Sequence, residues 1–274
     1  MTSHDAVNIV RKIFSVKKVG HAGTLDPAAV GVLPIAVGQA TKFIEYISDC
    51  DKTYRAEIFF GVKTSTGDFE GEIISRRENI TLPPEPALKS ILARFTGKIF
   101  QTPPKHSAIK INGQKAYNLA RKNVEFEMPR RLVTIKKIEI LRVEENILTL
   151  EIDCSKGTYI RTLAEDIGEN LNLPATLKFL QRVRVGNFNL ENSATVDDLK
   201  IGGEKFLLPV DNFLNFRNFE LPSRRIKAFC NGLPTNISAA DETVKVYAAG
   251  KFLGVGKIQS GELRAAKLFL DANF

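Results

Sequence analysis

Two hydrophobic periodicities alternate along the first 190 residues of the chain. Residues 52–61 alternate apolar and polar side chains, which predicts a strand. The apolar face of this strand would consist of Tyr54, Ala56, Ile58 and Phe60. Residues 6–13 instead place apolar side chains at helical spacing, after Thr2 and Asp5, which resemble a capping box. The two periods together predict a mixed α+β fold, built on a mainly antiparallel sheet with flanking helices and a central cleft.

Further elements follow the same two patterns. Two more helices are predicted, one within residues 81–95 after a proline-rich start and one at residues 160–171. Three strands are predicted, at residues 135–142, 148–154 and 180–188. The first two of these strands would pair as a hairpin around Glu145-Asn146.

From about Phe213 the sequence pattern changes to one that predicts short strands separated by turns. Such strands are predicted at residues 244–248, 252–258 and 263–270. The chain is therefore expected to have two domains, a large one at residues 1–212 and a small β domain at residues 213–274.

Positive charge is concentrated in one segment. Residues 98–142 carry eleven Lys or Arg against three Glu, an excess of eight that equals the formal net charge of the whole 274-residue chain. A solvated basic surface is the plain interpretation of such a run. The segment also holds the turn signals Pro103-Pro104 and Asn112-Gly113, which predict a projecting element. Such a basic projection suits contact with nucleic-acid phosphates.

Composition excludes several other classes of protein. No apolar run is long enough for a membrane span, and the first residues do not resemble a signal peptide, so we expect a cytoplasmic protein without membrane contact. Three widely spaced cysteines indicate reduced thiols, not a disulfide framework or a zinc site. No nucleotide-binding or metal-ligand motif is present, and we expect neither cofactor nor metal.

Asp26 lies among closely spaced glycines, Gly20, Gly23, Gly31 and Gly38. Glycines allow a backbone to approach a ligand closely, which favours a functional loop. Spacing alone, however, favours a structural role more strongly. An Asp followed by Pro27 is a normal helix start, with Asp26 as the N-cap.

A family resemblance changes this balance. Residues 21–34, His-Ala-Gly-Thr-Leu-Asp-Pro-Ala-Ala-Val-Gly-Val-Leu-Pro, resemble the catalytic motif of the TruB family of tRNA pseudouridine synthases, which modify the uridine of the tRNA T-loop. Further blocks resemble the same family in the same order. They are Gly38–Lys42, Asp51–Arg55, Ser107–Lys110, Cys154–Thr162 and Leu180–Val183. Together the matching blocks extend from about Thr2 to Phe188.

The resemblance implies three catalytic residues. Asp26 would be the carboxylate that attacks the target nucleoside, either at the base or by removing a ribose proton. Arg161 would pair with this carboxylate, orient it and favour its charged form. Tyr54 would stack on the flipped uracil near the proton lost from its ring. Without the resemblance, Tyr54 is expected in the core and Arg161 at the surface or in a local salt bridge.

The resemblance also implies substrate-binding residues. Tyr159 and Leu180 would line the base pocket with Tyr54, His21 would contact the T-loop, and Lys156 would lie close to RNA or to the pocket. Taken singly, Leu180 is a typical core residue and His21 a hydrogen-bonded loop residue. The family also implies a pseudouridine-synthase-type sheet, an RNA-gripping insertion at about residues 98–131 and a PUA-like C-terminal domain. The expected partner is the T-arm of tRNA, bound by a monomer without an obligate protein partner.

Family members usually begin with a strand and a Lys-Pro-x-Gly element before the segment that matches Met1–Asp5, and the chain lacks both. One alternative is therefore a tRNA-binding or tRNA-folding protein without catalysis, although Asp26, Tyr54 and Arg161 are all retained. A second alternative is a pseudouridine synthase that acts on another RNA, such as a guide-directed or ribosomal substrate. The basic segment and the small C-terminal domain favour stand-alone tRNA recognition by analogy.

Overall fold

The computed structural model describes residues 1–122 and 124–269. This part of the chain divides into two compact units. The first unit comprises Met1–Leu25, Leu33–Asp49 and the chain from Asn192 onward, and the second comprises Asp26–Val32 and Cys50–Glu191. The helices are α1 Ser3–Ile13, α2 Ile44–Ser48, α3 Glu85–Ala93, α4 Ala116–Arg121, α5 Ile160–Asn170, α6 Val196–Gly202 and α7 Ile226–Cys230.

The strands are numbered in chain order. Those of the first half are β1 Val19–His21, β2 Val30–Gly31, β3 Ile35–Val37, β4 Lys52–Phe60, β5 Val62–Thr64, β6 Ile73–Arg76, β7 Gly97–Gln101, β8 Lys110–Ile111 and β9 Gln114–Lys115. Those of the second half are β10 Arg131–Glu144, β11 Ile147–Cys154, β12 Ala175–Val185, β13 Phe188–Asn189, β14 Arg217–Glu220, β15 Thr235–Asn236, β16 Glu242–Ala248, β17 Lys251–Gln259 and β18 Glu262–Leu268. Short 3-10 helices run at Gly38–Phe43, Gly203–Phe206, Val210–Phe213 and Ser223–Arg225.

The second unit is built on a sheet with the order β13-β12-β4-β11-β10-β7, whose neighbouring strands are antiparallel. β4 lies in its middle, and its apolar face is buried as the alternation predicts. That face consists of Tyr54, Ala56, Ile58 and Phe60. Leu163 and Ile167 of α5 are fully buried in the same core. Burial of each such large side chain contributes about 1.5–3 kcal/mol, so this core holds β4 and α5 together.

The β10–β11 hairpin forms where the sequence predicts it. Glu145 adopts a positive φ of 43° in the turn, and Glu144 pairs with Ile147 across it. The Asn146 side-chain amide donates to the carbonyl of Phe60 at 3.1 Å. The turn is thus bonded to the end of the neighbouring strand β4 as well as to its own hairpin.

The first unit contains α1 and a five-stranded C-terminal sheet with the order β14-β16-β17-β18-β15. Thr2 and Asp5 form the expected capping box at the start of α1. The core of the C-terminal sheet is made of Leu221, Phe229, Val244, Val246, Ala248, Leu253, Ile258 and Leu263. A second cluster joins Phe43 to Val210, Leu214 and Val255 of the same unit. A small β module at the C-terminal end is therefore present.

Some predicted bounds differ from the observed ones. The strand predicted at 180–188 begins already at Ala175, because residues 175–177 pair with the buried end of β4. The helix predicted within residues 81–95 begins after the prolines as expected, with Pro84 as its N-cap, and it ends two residues early at Ala93. Part of the predicted loop before Asp26 pairs as β1 with β3. The domain boundary between residues 212 and 213 stays a prediction, because compactness does not show which segments fold independently.

Candidate active site

Asp26 begins a short loop that docks on β12. The Ala29 N–H donates to the Asp26 carbonyl at 2.9 Å, which closes a turn over Pro27, and β2 follows. β2 pairs in parallel with residues 181–182 of β12. No helix begins at Asp26, so the interpretation of Asp26 as a helix N-cap is wrong. The reason is tertiary: pairing with a strand far along the chain gives residues 30–31 an extended conformation.

Gly31 allows this pairing. Its φ is +109°, a conformation that side-chain-bearing residues rarely adopt. A Cβ built at this position would lie 2.2 Å from the main-chain oxygen of Arg182. The same oxygen accepts the Val32 N–H at 2.8 Å. The close approach of two backbones therefore requires glycine here.

The Asp26 carboxylate is held by a buried arginine. One Nη of Arg161 lies 2.9 Å from an Asp26 oxygen. The Arg161 side chain is 6% exposed and that of Asp26 is 42% exposed, so the carboxylate remains accessible to a ligand. The same guanidinium donates to the carbonyls of Thr66 and His106 at 3.0 and 3.1 Å, and lies 3.5 Å from an Asp68 oxygen. Three groups other than Asp26 therefore hold the guanidinium in one orientation, so it directs the Asp26 carboxylate. The interpretation of Arg161 as a surface residue is wrong.

Two tyrosines share the electrostatic field of this carboxylate. Burial raises the pKa of Tyr54 to about 12, and the Asp26 charge adds to the shift while Arg182 opposes it. Burial likewise raises the pKa of Tyr159, with a further contribution from Asp26. Both phenols are therefore protonated at neutral pH. The Asp26 charge thus contributes to the pKa of both tyrosines, while their positions in a base pocket and their catalytic roles stay predictions.

Tyr159 is positioned through its main chain. The Gln101 side chain, only 1% exposed, accepts the Tyr159 N–H at 3.0 Å and donates to the Tyr159 carbonyl at 3.3 Å. Tyr159 is also the N-cap residue of α5, and Arg161 follows in the first turn. One helix start therefore sets the position of both residues.

The remaining predicted binding residues lie on other elements of the chain. Leu180 pairs with Ala56 of β4 and packs, partly buried, against the core. Lys156 is exposed in the turn that precedes α5. His21 ends β1, where it pairs with Ile35, and belongs to the first unit, whereas Asp26 belongs to the second.

Three residues of this site were not predicted from the sequence. Asp68 and Gln101 lie outside the family-like blocks, and no local sequence pattern indicates a functional role for either. Arg182 lies within the block Leu180–Val183, which is the sequence feature that points to it. It is 1% exposed, and its pKa is lowered by burial. Among the described residues, no group of three or more His, Cys, Asp or Glu side chains is arranged to bind a metal ion.

The basic segment, residues 98–142, belongs to the second unit. Between β7 and β10 it contains the β8–β9 hairpin and α4. Cations lie over aromatic rings at 5.4–5.8 Å in four pairs, namely Lys105 with Phe126, Lys115 and Arg121 with Tyr117, and Arg130 with Phe100. Phe100 is 59% exposed, so part of this aromatic surface is open to a ligand. In the described part of the chain no helix is long and apolar enough to span a bilayer.

The chain is similar to known proteins over its whole length. The family model described as "TruB family pseudouridylate synthase (N terminal domain)" matches residues 11–160. Models described as "tRNA pseudouridylate synthase B C-terminal domain" and "Pseudouridine synthase II TruB, C-terminal" match residues 161–215 and 218–269.

Curated relatives agree with the family models. The tRNA pseudouridine synthase B of Caldanaerobacter subterraneus subsp. tengcongensis is 41% identical over 273 residues, covering 98% of this chain and 95% of the relative. The tRNA pseudouridine synthase B of Alkaliphilus oremlandii is 42% identical over 271 residues, covering 95% and 90%.

Solved structures share the fold at low sequence identity. A chain of a crystal structure of a Cbf5-Nop10-Gar1 complex is 22% identical with a TM-score of 0.74, covering 99% of this chain and 80% of its own. A chain of an H/ACA RNP bound to a substrate RNA containing 2'-deoxyuridine is 20% identical with a TM-score of 0.70, covering 100% and 83%.

These matches confirm the family resemblance, the enzyme class and the mixed α+β fold with a small C-terminal β domain. Since one family model matches more than half of the chain and full-length relatives are 41% and 42% identical to it, the chain belongs to the TruB family of pseudouridylate synthases.

Proposed function

We propose that this enzyme isomerises the T-loop uridine of tRNA to pseudouridine, with Asp26 as the attacking carboxylate. The observation that carries the proposal is the accessible Asp26 carboxylate, fixed 2.9 Å from the buried Arg161 guanidinium. The charge of this carboxylate contributes to the pKa of buried Tyr54 and half-buried Tyr159. The name tRNA pseudouridine synthase B of relatives above 40% identity supports tRNA as the substrate.

The reaction rearranges atoms within one nucleoside. The bond between ribose C1′ and uracil N1 breaks, the base turns, and a bond from C1′ to C5 forms. The C5 proton leaves and N1 gains a proton, so neither an oxidant nor a second substrate is required. Asp26 serves either by adding to the base or by removing a ribose proton, and both routes require an ionised carboxylate beside an extruded base.

The family resemblance gives the surrounding residues their proposed roles. Arg161 orients the carboxylate through its bonds to fixed acceptors. Tyr54 stacks on the flipped uracil and lies near the C5 proton, and such stacking returns about 1–3 kcal/mol per base. Tyr159 and Leu180 complete the walls that contact the base.

RNA recognition is assigned to residues outside this pocket. His21 contacts the T-loop, and Lys156 lies close to the RNA. The insertion at about residues 98–131 grips the phosphate backbone with its cations and stacks exposed aromatic rings on bases or sugars. This insertion belongs to a catalytic domain at residues 1–212, followed by a PUA-like β domain at residues 213–274, and the enzyme acts as a monomer.

An RNA-binding protein without catalysis is the less favoured alternative. Such a protein would not need the Asp26–Arg161 pair, in which a buried guanidinium holds an accessible carboxylate in place. The curated relatives are also named as synthases, not as binding proteins.

The proposal is tested with an unmodified tRNA transcript, on which pseudouridine is mapped by position. We expect product at the T-loop uridine from the wild-type chain and none from Asp26→Asn, with RNA affinity unchanged. The matched control is Asp197→Asn, which neutralises a carboxylate whose side chain is 83% exposed, and it should retain full activity. Product at another position would refute the T-loop assignment. Activity of Asp26→Asn would refute the role of Asp26. RNA binding without product from the wild-type chain as well as from both variants would establish the alternative.

A further inference from the structure

Arg182 is the largest of the side chains that are almost completely buried, with an exposure of 1%. It is the cross-strand partner of Tyr54, because β12 pairs with β4. Burial of a guanidinium costs desolvation free energy, and proteins retain a buried one only where its hydrogen bonds are satisfied. The site around Arg182 therefore requires a cation that can bond in more than one direction.

The contacts of Arg182 extend in two directions from β12. Its Nε donates to the Val32 carbonyl at 2.8 Å, and its main-chain oxygen accepts the Val32 N–H at 2.8 Å. Val32 ends the loop that begins at Asp26, so this loop is bonded to one residue through both main chain and side chain. Arg182 also lies opposite Tyr54 of β4 across the strand pair, and its charge lowers the pKa of the Tyr54 phenol against the larger effect of burial.

The chemistry of the guanidinium suits a position between two strands. A guanidinium carries several N–H donors and no acceptor, so it can donate in more than one direction. A planar fork of donors can also hold two acceptors in a fixed relative position, which a single flexible ammonium group cannot do.

We propose that Arg182 is a positioning residue that fixes the Asp26 loop, residues 26–32, relative to Tyr54. This inference rests on the proposed function, in which Asp26 and Tyr54 act on the same nucleoside. Arg161 orients the carboxylate itself, whereas Arg182 acts on the backbone that carries it. The two bonds between Arg182 and Val32, together with the pairing of Arg182 with Tyr54 across the sheet, keep the attacking carboxylate and the stacking ring at one distance.

A purely structural role of Arg182 makes a different prediction. If Arg182 only stabilised the fold, its replacement would lower the melting temperature and leave the rate of the folded enzyme unchanged. A positioning role instead predicts that the rate of the bound complex falls while RNA affinity stays the same. A misplacement of about 1 Å at a reacting group costs about a hundredfold in rate.

The experiment compares Arg182→Lys with Arg184→Lys in the full chain. Arg184 lies on the same strand and bonds Thr53 and Asp153, away from the loop. Single-turnover pseudouridine formation is measured at saturating tRNA transcript, together with RNA affinity, thermal melting and amide exchange of residues 26–32. We expect Arg182→Lys to slow the bound complex about a hundredfold, to raise exchange in the loop and to leave affinity unchanged. Arg184→Lys should match the wild type in all four measurements.

The outcomes separate this inference from the proposed function. An unchanged rate per folded molecule in Arg182→Lys, or a loss of RNA affinity alone, overturns the positioning role. If Arg182→Lys does not fold, Arg182→Gln takes its place, and if neither folds Arg182 is a folding determinant and the proposal is wrong. Absence of product from the wild-type chain refutes the proposed function instead. In that case a rise in exchange confined to residues 26–32 still supports fixation of the loop, and unchanged exchange overturns it.

Discussion

Replacement of Gly31 by alanine tests how closely the Asp26 loop must approach β12. The added Cβ would lie 2.2 Å from the Arg182 carbonyl oxygen, whereas real Cβ atoms essentially never come closer than 3.0 Å to such an atom. The two backbones must therefore separate by about 1 Å, and the carboxylate five residues earlier must move with them.

The expected magnitudes follow from this displacement. A positive φ at alanine costs about 1–3 kcal/mol of stability. Separation also weakens the bond from the Val32 N–H to Arg182, which adds about 1 kcal/mol. A shift of about 1 Å at the reacting group lowers the single-turnover rate about a hundredfold, equivalent to about 2.7 kcal/mol of transition-state stabilisation.

Gly97→Ala is the matched control for this prediction. Gly97 has a similar φ of +99°, but a Cβ built there meets nothing within 4 Å. Both variants therefore carry backbone strain, and only Gly31→Ala carries the clash. The measurements are thermal unfolding and single-turnover pseudouridine formation on a tRNA transcript. If the rate of folded Gly31→Ala lies within about threefold of that of Gly97→Ala, the loop does not require this close approach and the reasoning fails.

Three further predictions concern other parts of the second unit. Burial raises the pKa of Asp166 to about 6, so the folded state keeps this proton to higher pH than the unfolded chain and stability falls as pH rises from about 4 to 6. Asp166→Asn should therefore stabilise the chain at pH 7 by about 1 kcal/mol, because partial exposure weakens the effect. Denaturant titrations at pH 4 and 7 measure this gain. The control Glu78→Gln, at an exposed position, should show no such gain. Gln101→Leu removes the two hydrogen bonds between the Gln101 side chain and the Tyr159 main chain, and it should destabilise the chain by about 1–3 kcal/mol in thermal unfolding. A change below about 0.5 kcal/mol would show that these two bonds are dispensable. Replacing lysines within residues 98–142 by glutamine should reduce the slope of log affinity against log salt by about 1 for each lost phosphate contact, and an unchanged slope would remove this segment from the interface.

Local patterns in the sequence predicted the elements that depend on neighbours along the chain. The alternation in residues 52–61 became β4 with the expected buried face, and Thr2 and Asp5 cap α1. The turn at Glu145-Asn146 joins the expected pair of strands. These features follow from side-chain period, capping and turn chemistry, which act over a few residues. Asp26 was also identified from sequence, but through a family-like motif and not through local physics.

Contacts between distant segments decided what the local patterns could not. Spacing favoured Asp26 as a helix cap, yet pairing of β2 with β12 holds residues 30–31 in an extended strand. Arg161, which without the family resemblance is expected at the surface or in a local salt bridge, is buried because its acceptors come from segments 55 and 95 residues away. Arg182 reaches the Asp26 loop across 150 residues of chain. Burial and hydrogen bonding of these groups depend on which strands become neighbours, and no periodicity in a single segment encodes that choice.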